Sequence, residues 1–179
     1  MTQTAITYGS SLYDLAREEN AAPLYMEQLR VLRDILNENP EYLPMLSSRA
    51  LPLQERLHLL DEAFRGRMEP YLLNFIKILC EKGTVRELPG CIRQFELLWN
   101  EEHGILEAVA TSAVSLSPAL REKLTRKLAE TTGKTVLLTC KTDPAALGGI
   151  RVEYAGHELD GTVRRRLDEL GKQLEQLTL

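Results

Sequence analysis

Residues 99–113 read WNEEHGILEAVATSA, and the pattern of the chain changes inside them. Before the change, Leu88, Ile92, Phe95 and Trp99 recur at the spacing of one helix face. That stripe runs out at His103-Gly104. From Ile105 to Ala113 the residues are β-branched and small, as in a strand. The chain is therefore expected to divide here: a helical region over 1–104 and a small α/β domain over 105–179.

Toward the N-terminus the helical reading repeats. Ala5, Tyr8, Leu12, Leu15 and Ala16 share one face over 4–19. Pro23 suits a first helical turn, and Leu29, Leu32 and Leu36 continue from it to Asn37-Glu38-Asn39-Pro40. A short helical piece is expected over 41–46. Pro52 opens the next helix, with Leu53, Leu57, Leu60 and Phe64 as its stripe and Gly66 after it. The spacing predicts a fifth helix over 70–82, closed by Gly83. It carries two adjacent stripes, Leu72/Ile76/Leu79 and Tyr71/Phe75/Ile78, wider than a one-sided surface helix needs. Two readings stand: a central helix touching neighbours on several sides, or a helix whose second stripe lines a groove for a partner's amphipathic helix. With the helix at Leu88–Trp99, the first region is a six-helix bundle.

Toward the C-terminus, Ser117-Pro118 is an N-cap with a proline behind it. Leu120, Leu124 and Leu128 follow as a stripe, and Gly133 closes it. Thr135–Lys141 alternates as a strand does. Asp143-Pro144 turns, Leu147-Gly148-Gly149 leads into a strand over Ile150–Tyr154, and Ala155-Gly156-His157 reads as a hairpin turn into 158–160. Val163, Leu167, Leu170, Leu174 and Leu177 form a heptad-like seam. The fold class is mainly α, the bundle followed by a β-α-β-β-α domain.

Composition narrows the function. Hydrophobic residues make up 44% and charged residues 27%, with a net charge of -4. An ordinary globular protein fits, and a nucleic-acid binder with a basic face does not. Charges interrupt every apolar run, and the N-terminus lacks a basic start and apolar block. Cys80, Cys91 and Cys140 are odd in number and widely spaced, which fits a reducing, cytoplasmic compartment. With His58, His103 and His157 they give no pair at zinc spacing, so no metal is expected. Gly148-Gly149 enters a strand and no lysine follows, so the pair reads as a close strand approach and not a phosphate loop. Asp143, Glu153, Glu158 and Asp160 have no nucleophile or histidine to complete a catalytic set, and Asp160 reads as a cap beside Gly161-Thr162. Arg164-Arg165-Arg166 reads as a solvated face, with an acidic partner helix as the alternative. No cofactor is expected.

Several segments then resemble the delta-subunit family of F-type ATP synthases, called the oligomycin-sensitivity-conferring protein in mitochondria. Tyr8-Gly9-Ser10-Ser11-Leu12-Tyr13-Asp14-Leu15-Ala16 is similar to that family's opening helix, with Gly9 and Ser11 in place of the usual alanines. Leu72–Ile76 through Glu81-Lys82-Gly83 resembles its fifth helix, and Ala108–Ser117 its junction. The most specific match is Asp143-Pro144-Ala145-Ala146-Leu147-Gly148-Gly149-Ile150-Arg151-Val152, followed by Leu159-Asp160-Gly161-Thr162-Val163-Arg164, where Thr162 replaces serine. The ordered set spans the chain.

The resemblance implies a non-catalytic stator subunit. It implies that the bundle grips the N-terminal helix of an alpha subunit between its first and fifth helices, which points to Tyr8, Ser11, Leu12, Asn74, Phe75 and Ile78. The domain over 105–179 would meet the C-terminal region of the b-subunit stalk. Asp143, Gly148, Gly149, Asp160 and Gly161 take structural roles. Association with the membrane would be peripheral, through the complex, on the cytoplasmic face of a bacterial plasma membrane; no nucleic acid and no homo-oligomer are implied.

Overall fold

A computed structural model describes residues 1–162. The heptad-like seam and the arginine run over 163–177 lie outside the described residues. The chain divides into two compact units, Met1–Trp99 and Asn100–Leu179.

The first unit is built from α1 (Gln3–Glu18), α2 (Ala22–Glu38), α3 (Tyr42–Ser47), α4 (Leu53–Phe64), α5 (Pro70–Glu81) and most of α6 (Leu88–Glu102), with a 3-10 turn at Val85–Glu87. Local chemistry starts these helices. The Thr2 hydroxyl accepts from the Ala5 amide at 3.2 Å at the head of α1. The Glu69 carboxylate accepts from the Tyr71 amide at 2.7 Å at the head of α5, with Pro70 in the first turn. Gly83, at φ +70°, takes the left-handed conformation that ends α5. The apolar faces then close on one core. Leu12, Tyr25, Leu29, Leu72, Ile76, Leu79, Ile92 and Phe95 are all below 2% exposed.

Several polar groups of this unit are paired across helices. The Tyr25 hydroxyl donates to Glu69 at 3.0 Å, so one carboxylate both caps α5 and ties it to α2. Arg33 of α2 pairs with the buried Glu96 of α6. Lys77 of α5 pairs with Asp61 of α4 at 2.7 Å and holds its carboxyl below the usual carboxylate range.

The core also sets an alkaline limit. Burial pushes the Cys80 and Cys91 thiols from an ordinary 9.0 up to about 11. Burial, then the Glu69 hydrogen bond, raises the Tyr25 hydroxyl as well. A group whose folded pKa is raised contributes fully below its unfolded pKa and loses that contribution as pH climbs to the folded value. Stability is therefore expected to hold at pH 8 and fall between about pH 9 and 11. Urea unfolding across that window checks this. A Cys80→Ala/Cys91→Ala chain should show a shallower fall, whatever its stability at neutral pH.

The second unit holds β1 (Ile105–Ser112), α7 (Pro118–Thr132), β2 (Thr135–Thr142), β3 (Ile150–Tyr154) and β4 (His157–Asp160), with a 3-10 turn at Pro144–Ala146. The sheet order is β2-β1-β3-β4. β1 and β2 are parallel, which a crossover through α7 permits; the other pairs are antiparallel. Ser117 caps α7 and Gly133, at φ +68°, ends it. Leu106, Ala108 and Ala110 alternate inward and meet Val136, Leu138, Val152 and Leu128.

The hairpin into 158–160 forms as the fourth strand, β4, and His157 opens that strand instead of sitting in the turn. The reason is turn chemistry. Ala155 and Gly156 both have positive φ, +45° and +79°, so a two-residue loop suffices and Tyr154 pairs directly with His157.

Candidate functional site

The seam between α1 and α5 is fixed from beneath by α6. Gly9 makes this possible. A Cβ there would lie 2.6 Å from the Gln94 Cβ and 2.7 Å from the Cys91 carbonyl oxygen, so only glycine lets α1 lie this close to α6. At Gly90 of α6 a Cβ would lie 2.7 Å from that of Ala5. Farther along, the rings of Tyr13 and Phe95 meet edge to face at 5.0 Å. This close face of α1 leaves the neighbouring side, with Tyr8, toward α5. There Tyr8 meets Phe75, ring centroids 6.4 Å apart and planes at 68°.

The two helices run antiparallel along this seam. Thr2, before α1, donates to Glu87, the last residue of the 3-10 turn that joins α5 to α6. At the opposite end, the Glu69 carboxylate joins Tyr25, which follows α1 by a short turn, to the Tyr71 amide at the head of α5.

The structure places the six sequence-derived residues unequally. Tyr8 and Ile78 are half-buried at the margins, and Phe75 is buried at 9% exposure. Ser11 and Asn74 are exposed; the Ser11 hydroxyl donates to the Thr7 carbonyl at 3.0 Å. Leu12 is 1% exposed and belongs to the core under the seam, not to its surface. Tyr71, which the residue set omitted, is 52% exposed at the α5 margin. The double stripe of α5 thus separates by depth. Leu72, Leu73, Ile76, Leu79 and Cys80 are buried, while Tyr71 and Ile78 keep apolar surface beside Tyr8.

Such a surface suits apolar side chains. Among the described residues no group of three His, Cys, Asp or Glu side chains is placed to hold a metal ion. No helix among them is long and apolar enough to cross a membrane.

A second apolar feature was missed by sequence reasoning. A cavity of about 400 Å³ lies between α2, α4 and the turn after α4, lined by Leu24, Val31, Ile35, Phe64 and Met68. Its only signal was Leu24 and Val31, seven residues apart and off the main α2 stripe; they are 45% and 56% exposed.

In the second unit the motif residues form a clasp. The Asp143 carboxylate accepts from the Ala145 amide at 2.9 Å and shapes the 3-10 turn. Leu147 leaves it at φ +59°, 66% exposed, ahead of Gly148. Gly149, at φ +81°, sits against the Gly161 carbonyl. The Gly161 amide donates to Ile150 at 3.0 Å, and the Thr162 amide to Asp160 at 2.9 Å. The two stretches of the motif therefore hold each other.

Known proteins resemble this chain along its length. The family model for the ATP synthase delta (OSCP) subunit matches residues 4–174. The "ATP synthase subunit delta" of Clostridium kluyveri is 29% identical over 165 residues, 92% of this chain and 91% of that protein. The protein of the same name from Chlorobium chlorochromatii is 27% identical over 167 residues, 93% of each. A chain of the Toxoplasma gondii mitochondrial ATP synthase hexamer superposes with a TM-score of 0.80 at 20% identity, covering 97% of this chain and 98% of that one; this likeness shows the fold.

Proposed function

We infer the function from the premise that this chain belongs to the ATP synthase delta (OSCP) subunit family. It is a non-catalytic subunit of the peripheral stalk, and its task is to hold. The α1/α5 seam grips the N-terminal helix of an alpha subunit, and residues 105–179 meet the C-terminal region of the b subunits. The complex carries the chain to the cytoplasmic face of a bacterial plasma membrane, as a single copy. One observation supports the grip above the rest: Tyr71 and Ile78 keep apolar surface beside the Tyr8–Phe75 pair at a helix seam. Each apolar side chain fully buried there contributes about 1.5–3 kcal/mol, so a few suffice for tight binding.

The mechanics follow from rotation. A turning central shaft drags the catalytic head, and a stator must resist that torque without letting go. Dissociation must therefore be slow against turnover. A helix docked in an apolar seam at one end, and a helical stalk at the other, meet this requirement without chemistry.

Membranes stripped of this subunit are expected to lose coupled ATP synthesis and to regain it on adding back the full chain. Restoration of coupling by an unrelated helical protein, or none by this one, overturns the reading.

A further inference from the structure

The two ends of the α1/α5 seam carry different charge. At the Tyr71 end, Glu18 and Glu19 close α1, and both are exposed. At about 100° per residue, Glu19 lies roughly 20° round the helix from Tyr8, in line with the seam. Glu18 lies about 80° away, on the flank that faces outward. Arg17 lies about 180° from Tyr8, on the far side of α1. The facing margin of α5 brings no cation there: Pro70, Tyr71 and Asn74 are uncharged. Glu69, beneath them, adds a further carboxylate, occupied by Tyr25 and by the head of α5. At the Thr2 end the pattern differs. Glu81 and Glu87, the second held by Thr2, are offset by Lys82 and Arg86, and Gln3 and Thr7 are neutral.

We propose that the occupant of this seam is an amphipathic helix that carries Lys or Arg at the end lying over Tyr71, where Glu18 and Glu19 receive them. This rests on the reading of the seam as the grip for an alpha-subunit helix, and adds its charge pattern and its direction. The apolar stripe supplies the hold. The carboxylates supply the register: a helix laid the other way round brings its cations to an end where Lys82 and Arg86 offset the acids. The exposed Tyr71 ring adds a face on which a guanidinium or ammonium settles. Charges at such a rim act mainly on encounter rate and orientation, and salt screens them.

The test is calorimetric titration of the full chain with a synthetic peptide of the alpha-subunit N-terminus. Wild-type affinity should fall several-fold as salt rises from about 20 to about 300 mM. Glu18→Lys/Glu19→Lys should bind roughly tenfold more weakly at the low salt and lose most of that salt dependence. A peptide with its basic residues changed to Glu should recover affinity for the charge-reversed chain relative to wild type. Both positions are exposed, so thermal melting by circular dichroism should match wild type. Equal affinity of the wild-type and charge-reversed chains at low salt overturns the proposal while leaving the grip intact. No binding by wild type overturns the grip itself, and the charge pattern with it.

Discussion

A Gly149→Val chain is expected to lose about 3 kcal/mol or more from the unit that carries the sheet, enough to unfold it in mild urea. Two costs combine. The residue sits at φ +81°, in the left-handed region that a β-branched side chain avoids. Its Cβ would also lie 2.3 Å from the Gly161 carbonyl oxygen and 2.9 Å from the Thr162 Cα. Both obstacles are backbone. They cannot swing aside, because the Gly161 amide is bonded to Ile150 and the Thr162 amide to Asp160. Gly156 separates the two costs. Its φ is +79°, yet a Cβ there meets nothing within 4 Å. Gly156→Val should therefore show the conformational cost alone, about 1–2 kcal/mol. Equal urea midpoints for the two variants would contradict the clasp.

The second large effect concerns binding. Ile78→Asp should weaken the alpha N-terminal peptide about a hundredfold while the bundle stays folded. Losing the anchor removes about 1.5–3 kcal/mol, and an unpaired carboxylate under the docked helix adds to that. Each 1.4 kcal/mol is about tenfold in affinity. The fold should survive because Ile78 is only half-buried, beside exposed Asn74, whereas Leu79, its neighbour, is 0% exposed and holds the core. Calorimetry paired with a melting curve reads both quantities. Unchanged affinity would count against Ile78 as an anchor; a melted bundle would count against its marginal position.

Much of the fold was legible because its signals are local. The period change at Gly104, the Ser117-Pro118 cap and the α5 stripes all depend on neighbours within a turn or two. What escaped depends on contacts distant in sequence. Gly9 reads as a small residue that lets another helix approach; that the helix is α6, through Cys91 and Gln94, is a fact of tertiary packing. Glu69 sits before a first-turn proline, a legible place for a cap, yet its bond to Tyr25 spans 44 residues. His157 was placed in the turn because Ala155 gives no warning that it takes positive φ.

The seam was legible in part, for a related reason. Helix periodicity assigns a face but not a depth. Leu12 and Tyr8 share a stripe, but the approach of α6 sends Leu12 to the core and leaves Tyr8 at the margin. The same limit hid the cavity below Leu24 and Val31, which exists only because α4 and Met68 stand across from them.

These two apolar features of one bundle set the decisive comparison. In the full chain labelled with nitrogen-15, the alpha N-terminal peptide should shift the amide signals of Tyr8, Ser11, Asn74 and Ile78 together. Shifts gathered instead at Leu24, Val31 and Met68, with the α1/α5 seam silent, would contradict the docking site on which the stator account is built.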